Sequence, residues 1–146
     1  MRPTLLSLIA LASAASAAPS LIPRQEGTVD YGYWYAVYTS EGFAAGSSET
    51  VVATYSNPGH ASNFTSTCRE TYYHGQTYRN CDAGFSYTWG APWSDDGATL
   101  SLTQTVELGG EQVKISGSAL LVRLSGLGSG KASRAEGRIE AGLASA

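Results

Sequence analysis

Two cysteines on either side of a two-residue turn constrain this chain more than any other feature. Cys68 and Cys81 flank His74-Gly75, where a tight β-hairpin can turn. A two-residue loop makes Tyr73 and Gln76 a hydrogen-bonded pair, and the pair type then alternates along the ladder. The cysteines fall on a non-hydrogen-bonded pair, whose Cα atoms lie about 4.5 Å apart, a separation that a disulfide tolerates.

The same register places Glu70 opposite Arg79, on the face that carries the cysteines. An opposite-charge pair stabilises a hairpin by less than about 1 kcal/mol where it is exposed. The register that aligns the sulfur atoms therefore also aligns the charges. A Cys68–Cys81 bridge would close a short loop and stabilise the fold by about 3 kcal/mol.

The N-terminal residues have the composition of a secretory signal. Arg2 is followed by the apolar run Leu5–Leu11 and by the small-residue cleavage site Ala15-Ser16-Ala17. The run is shorter than the roughly 20 residues that span a bilayer, and a membrane anchor would leave the cleavage site unexplained. We expect a signal peptide over residues 1–17 and a secreted, extracellular product that has no membrane partner.

Residues 18–24 form either a pro-segment cut after Arg24 or a disordered leader, and residues 25–146 form one domain. Loss of residues 1–24 removes Arg2 and Arg24, which leaves seven basic against twelve acidic residues and a net charge of −5. Phosphate backbones and anionic membranes bind basic patches, so we expect no nucleic-acid partner.

An oxidising compartment favours a disulfide for an even pair of cysteines. A metal site would need more ligands, and His60 and His74 are not spaced with the cysteines as zinc ligands usually are. We predict a Cys68–Cys81 disulfide and neither a metal nor a cofactor.

Short strand patterns alternate with Gly, Pro and Asp turns along the whole domain, and no stretch has a helical period. This rhythm predicts an all-β fold, a single-domain antiparallel β-barrel or sandwich with one disulfide. The predicted strands are Tyr33–Thr39, Thr50–Ser56, Asn63–Tyr73, Gln76–Cys81, Phe85–Trp89, Ala98–Val106, Gln112–Ser125 and Ser133–Leu143.

A second hairpin turns at Gly109-Gly110, and its register pairs apolar residues on one side. Gln104 and Gly117 interrupt that apolar side. In the last predicted strand, alternate residues from Ala135 to Leu143 are apolar or small, which predicts one strand with one buried face.

The residues around the cysteines resemble the fungal AA1-like family, which is named for the major Alternaria allergen. The likeness covers roughly residues 30–121 and rests on these segments: Tyr33-Trp34-Tyr35-Ala36-Val37, Val51-Val52-Ala53-Thr54, Thr67-Cys68, Tyr78-Arg79-Asn80-Cys81, Phe85-Ser86-Tyr87 and Leu100-Ser101-Leu102-Thr103-Gln104-Thr105-Val106. The resemblance implies a secreted fungal β-barrel that acts in host interaction, as allergens and plant-recognised effectors do.

The chain departs from that family at two places. Cysteines for the family's second disulfide, near the C-terminus, are absent from this sequence. Between Gln25 and Tyr33 there is also no cysteine to link two chains. Cys68 and Cys81 would correspond to the first family disulfide, a covalent dimer is not expected, and the C-terminal third should be less rigid.

Catalytic patterns find little support in the sequence. Asp95-Asp96, with Asp82 and Glu70, could supply two glycosidase carboxylates, but Asp95-Asp96-Gly97 is a turn signature. A Gly-x-Ser-x-Gly nucleophile elbow is absent, and Gly126–Lys131 lacks the spacing of a phosphate-binding loop. We therefore expect a protein that is not an enzyme.

The aromatic residues either fill the core or form a stacking platform for a sugar or a flat ligand. Trp89 and Trp93 enclose a Gly-Ala-Pro segment and are the predicted ligand contacts. Asn63-Phe64-Thr65 is an N-glycosylation sequon, and Asn63 should point away from the face of Cys68.

The sequence thus predicts a secreted effector-like or allergen-like protein that binds a host protein, from a plant or an animal, or a small apolar ligand. The alternatives are a cell-wall carbohydrate-binding module and a secreted hydrolase.

Overall fold

A computed structural model of the chain describes residues 29–58, 60–90, 97–122, 124 and 132–144. The predicted signal peptide and leader, Trp93, Asp95-Asp96 and the Gly126–Lys131 loop lie outside these residues. The strands are β1 (Tyr33–Phe43), β2 (Gly46–Asn57), β3 (His60–Tyr73), β4 (Gln76–Cys81), β5 (Phe85–Trp89), β6 (Ala98–Leu108), β7 (Glu111–Leu121), β8 (Ala132–Glu140) and β9 (Gly142–Leu143).

The strands form two antiparallel sheets that pack into a sandwich. One sheet has five strands in the order β4-β3-β2-β1-β8, and the other has four in the order β5-β6-β7-β9. This confirms the predicted all-β antiparallel fold. The closed barrel implied by the family resemblance is not formed, because the described strands pair within two separate sheets and not from one sheet to the other.

The first hairpin confirms the predicted register. Cys68 pairs with Cys81 and Glu70 with Arg79, and Cys68 and Cys81 form the disulfide with their Cα atoms 3.9 Å apart. His74 and Gly75 have φ values of 49° and 78°, the double positive φ of a type I′ turn. That turn twists in the same sense as the strands, which explains why a two-residue loop can set the register.

The core lies between the sheets and follows the period-two alternation of the strands. On β1, Trp34, Ala36 and Tyr38 are buried, while Tyr35 between them is exposed. The other buried apolar side chains include Val51, Ala53, Tyr55, Cys68, Phe85, Tyr87, Leu100, Leu102, Val106, Ile115, Leu121, Ala135 and Ile139. Aromatic residues therefore supply much of the core of a domain that is poor in large aliphatic residues.

Gln104, which interrupts the apolar face of β6, is a buried bridge between the two sheets. Its Oε1 accepts a hydrogen bond from Trp34 Nε1 at 2.7 Å, and its Nε2 donates to Ser66 Oγ at 2.5 Å. Trp34 and Ser66 belong to the five-stranded sheet and Gln104 to the other. Gln104 therefore supplies a hydrogen-bond partner for the buried indole N–H of Trp34, which apolar neighbours would leave without one.

Gly117, the second interruption, lies where the sandwich is closed by the C-terminal strands. A Cβ atom on Gly117 would lie 2.1 Å from the carbonyl oxygen of Glu140, so only glycine fits there. The prediction of one continuous last strand is wrong, because the strand breaks at Ala141 and crosses to the other sheet. Leu143, predicted to be buried, pairs with Ile115 in that sheet and is 63% exposed.

Candidate binding surface

The outer face of the five-stranded sheet gathers polar and aromatic side chains at the end where two hairpins turn. Side chains alternate along each strand, so the neighbours of buried Tyr38, Val51 and Cys68 point outward. Cross-strand pairing of β1, β2 and β3 sets these residues in three rows: Thr39, Thr50 and Arg69; Glu41, Ser48 and Thr71; and Phe43, Gly46 and Tyr73.

The first two rows enclose a shallow polar depression of about 230 Å³. Its lining consists of Thr39, Glu41, Ser48, Thr50 and Arg69. Ser48 lies deepest, at 7% exposure, and its Oγ accepts a hydrogen bond from Arg69 Nε at 2.9 Å. Hydroxyl, carboxylate and guanidinium groups therefore converge on one open site, with donors and acceptors both represented.

The third row adds aromatic rings beside the depression. The rings of Phe43 and Tyr73 have centroids 6.2 Å apart with an interplanar angle of 39°, and Gly46 lies between them in the ladder without a side chain. Tyr78 on β4 pairs with Thr71 and is 56% exposed, and its hydroxyl donates to Gln76 Oε1. Three aromatic rings thus stand open to solvent next to polar groups.

The edge strand β8 carries ion pairs along the same face, starting beside the depression, where Arg134 pairs with Thr39. Arg134 Nη2 lies 2.9 Å from Glu136 Oε2, and Arg138 Nε lies 2.6 Å from Glu140 Oε1. The hydrogen bond from Arg134 lowers the pKa of the Glu136 carboxyl below its ordinary value. Arg138 also lies over the ring of Tyr33, at 3.7 Å from the centroid. These charged groups pair with each other within β8. The hairpin end of the face is therefore the better candidate for a ligand-binding site.

A second polar cluster ties the two sheets together. Glu49 on β2 accepts hydrogen bonds from the hydroxyls of Tyr38, at 3.1 Å, and of Tyr87, at 2.7 Å. Burial, together with the bond to Glu49, raises the pKa of the Tyr87 phenol well above its ordinary value. Arg79 lies 4.5 Å above the Tyr87 ring and donates to the Tyr87 carbonyl, while Glu70 lies 3.7 Å from Arg79. Each of these groups has a partner within the protein, as a structural network requires.

The residues singled out from the sequence lie apart from the depression. Trp89 packs edge-on against Tyr38, with ring centroids 4.9 Å apart, and is partly buried at the margin of the core. Asn63 is exposed on β3, whereas Cys68 on the other face is buried. Asp82, considered as a catalytic carboxylate, accepts a hydrogen bond from the backbone N–H of Thr67 at 2.7 Å.

Tyr73 and Tyr78 belong to the aromatic residues interpreted as core or as a stacking platform, whereas the predicted ligand contacts are Trp89 and Trp93. The predicted hairpin register already put Tyr73 and Tyr78 on one face of β3 and β4. Phe43 and Glu41 lie beyond the predicted end of the first strand, so no register is predicted for them.

Metal-ligand clusters and membrane-spanning helices are both absent from the described residues. In that part of the chain, three or more His, Cys, Asp and Glu side chains nowhere come together as metal ligands. A helix of the length and apolarity needed to cross a bilayer is also not found among these residues.

Comparisons of the chain with models of protein families, with curated proteins and with solved structures find no match. The resemblance to the AA1-like family therefore stays a prediction.

Proposed function

We propose that this chain is a secreted, non-catalytic recognition protein of the effector-like or allergen-like kind. The observation that carries the proposal is the exposed surface formed by Phe43, Tyr73 and Tyr78 beside the depression around Ser48. Exposed aromatic rings beside convergent polar groups are typical of binding sites, because rings supply contact area and polar groups supply orientation. Neither the rings nor the hydroxyl groups are needed to fill the core.

Secretion is part of the proposal and is supported by two features. The N-terminal residues have the composition of a signal peptide. The Cys68–Cys81 disulfide is the bond that an oxidising compartment favours. Exposed Asn63 in its sequon would carry a glycan in a eukaryotic secretory pathway.

The ligand would be a molecule of the host, which the sequence predicts to be a protein or a small apolar compound. A small apolar ligand draws less support, because the depression is lined by Thr39, Glu41, Ser48, Thr50 and Arg69. Tyrosine and arginine, by contrast, are the residues that dominate the binding energy of protein interfaces.

Application of the purified, secreted protein to host tissue tests the proposal. Plant leaf tissue should produce a measurable defence response, such as an oxidative burst, over a range of protein concentrations. The double variant Tyr73→Ala/Tyr78→Ala should lose the response, since it removes two exposed rings and leaves the core intact. Tyr72→Ala is a matched control, because Tyr72 lies on the other side of the same strand with 50% exposure.

Absence of a response to the wild-type protein at every concentration would contradict the proposal. So would an equal response to the wild-type protein and the double variant.

A further inference from the structure

We infer that the ligand of this surface is a neutral oligosaccharide, in place of the host protein or apolar compound that the sequence predicts. The inference rests on the proposed recognition role of the same surface. Sugar rings combine an apolar C–H face with a rim of hydroxyl groups. A site that binds them needs open aromatic rings and, within reach of those rings, groups that both donate and accept hydrogen bonds. The hairpin end of the five-stranded sheet offers both in adjacent rows.

The aromatic part of the site is accessible to solvent. Phe43 and Tyr73 are 42% and 44% exposed, and their rings are separated by Gly46, which adds no side chain above the sheet. The ring of His74 packs edge-on against Tyr73, with centroids 4.2 Å apart. The exposed part of an aromatic ring can stack against the apolar face of a sugar. Tyr78, in the neighbouring row, extends the platform toward β4.

The polar part of the site is rich in hydroxyl groups. Thr39, Thr50 and Ser48 line the depression, and each hydroxyl can donate one hydrogen bond and accept two. The Ser48 hydroxyl accepts hydrogen bonds from Arg69 Nε and from Thr71 Oγ1, which leaves the proton of Ser48 to be donated elsewhere. Such groups match the mixed donors and acceptors of sugar hydroxyls better than they match an apolar ligand.

The charges of the depression favour a neutral ligand. Its lining holds one carboxylate, Glu41, and one guanidinium, Arg69, so that the two formal charges cancel. A phosphate-rich or sulfated ligand would call for an excess of basic groups. Both charged side chains can instead form charge-assisted hydrogen bonds with sugar hydroxyls.

The three rows are long enough to accommodate a short oligosaccharide. Three rows on four strands span about 13 by 14 Å, given the spacings of residues and strands in a sheet. A surface of this size accommodates a short stretch of a glycan chain.

Binding of the secreted protein to defined glycans tests this inference. The protein is mixed with insoluble chitin, cellulose or β-1,3-glucan, and the fraction left in solution is measured. Affinity for the soluble hexasaccharide of each polymer is then measured by titration. We expect at least one of the three glycans to bind, and Tyr73→Ala to weaken that binding by tenfold or more.

Glu41→Gln should weaken the same binding several-fold, because it removes the charged acceptor but keeps the shape of the side chain. Tyr72→Ala should stay within twofold of the wild-type affinity. Circular dichroism and thermal unfolding show whether each variant is folded, and Tyr78→Ala replaces Tyr73→Ala if the latter is not.

Failure of all three glycans to bind would overturn the inference. If the response of host tissue still depended on Tyr73 and Tyr78, the proposed function would stand and a protein ligand would replace the glycan. Glycan binding that is unchanged in Tyr73→Ala, Tyr78→Ala and Glu41→Gln would overturn the assignment of the site.

Discussion

At the scale of single residues, two polar side chains, Gln104 and Glu49, join the two sheets by hydrogen bonds. Gln104 joins Trp34 to Ser66, and Glu49 joins Tyr38 to Tyr87. Buried hydrogen bonds add little when they are formed, but they cost much when one partner is removed. These residues should therefore be more sensitive to substitution than their polarity suggests.

Gln104→Leu tests the buried bridge. Leucine has a similar size but leaves the Trp34 N–H and the Ser66 hydroxyl without their partner, so the free energy of unfolding should fall by about 1–3 kcal/mol. Urea denaturation measures the change. Gln112→Leu, on the exposed surface of β7, is the control and should change stability by less than about 0.5 kcal/mol. Equal effects of the two substitutions would show that the hydrogen bonds of Gln104 do not stabilise the folded protein.

The Tyr87 phenol makes stability depend on pH in the alkaline range. Its pKa is raised in the folded protein by burial and by the bond to Glu49, above the ordinary value of 10. The folded state therefore holds the proton more tightly than the unfolded state. The resulting contribution of Tyr87 to the free energy of unfolding is complete below pH 10 and is lost as the pH rises above 10.

We expect the free energy of unfolding of the wild-type protein to decline above about pH 10 more steeply than that of Tyr87→Phe. Denaturant titrations between neutral and alkaline pH measure both slopes. Parallel slopes would mean that Tyr87 has no raised pKa. At neutral pH, Tyr87→Phe should itself cost about 1.5–3 kcal/mol, because it removes a hydrogen bond to a charged carboxylate.

At the scale of secondary-structure elements, the hairpin of β3 and β4 is fixed by its own turn and its own disulfide. The bridge joins Cys68, which is fully buried, to Cys81 in the edge strand β4. β4 has a neighbour on one side only, so the disulfide holds this edge strand on the sheet.

Replacement of both cysteines by alanine tests how much the hairpin depends on the bridge. The double variant Cys68→Ala/Cys81→Ala should lose about 3 kcal/mol of unfolding free energy, the value that loop-closure entropy gives for so short a loop. Glu70→Gln removes only the exposed ion pair of the same hairpin. It should lower the free energy of unfolding by less than about 1 kcal/mol. Free thiols on the secreted wild-type protein, found by mass spectrometry, would contradict the disulfide itself.

At the scale of the whole molecule, the sandwich is closed where the chain passes from one sheet to the other at Ala141. The carbonyl group of Glu140 approaches Gly117 there, and the side chain of Leu121 packs against Gly137. These contacts bring β7 and β8 together at the boundary between the two sheets.

Gly117→Ala tests this closure. The added methyl group would lie 2.1 Å from the Glu140 carbonyl oxygen, so the strands must separate, at a cost of about 1–3 kcal/mol. Gly142→Ala, two residues beyond Glu140, is the control, because its nearest contact would be 3.9 Å away. Thermal unfolding compares the two variants. If Gly117→Ala is as stable as Gly142→Ala, the close approach of β7 and β8 is wrong.

Parts of the fold that depend on local geometry could be predicted from the sequence. The register of Cys68 with Cys81 and the boundaries of β4 and β5 follow from turn type and alternation, because both act over a few residues. The extension of β1 to Phe43 could not be predicted, since Ser40-Glu41-Gly42 has a weak strand propensity and is held by pairing with β2 and β8.

The sequence by itself determined the all-β class, the two hairpin registers and the disulfide. Only the tertiary structure decided that the strands form an open sandwich, that Gln104 bridges the sheets and that Phe43 stands beside Tyr73. The physical reason is the distance along the sequence over which each kind of interaction acts. Turns and alternation act between neighbours along the chain, whereas the packing of two sheets depends on side chains that are far apart in sequence and meet only after folding.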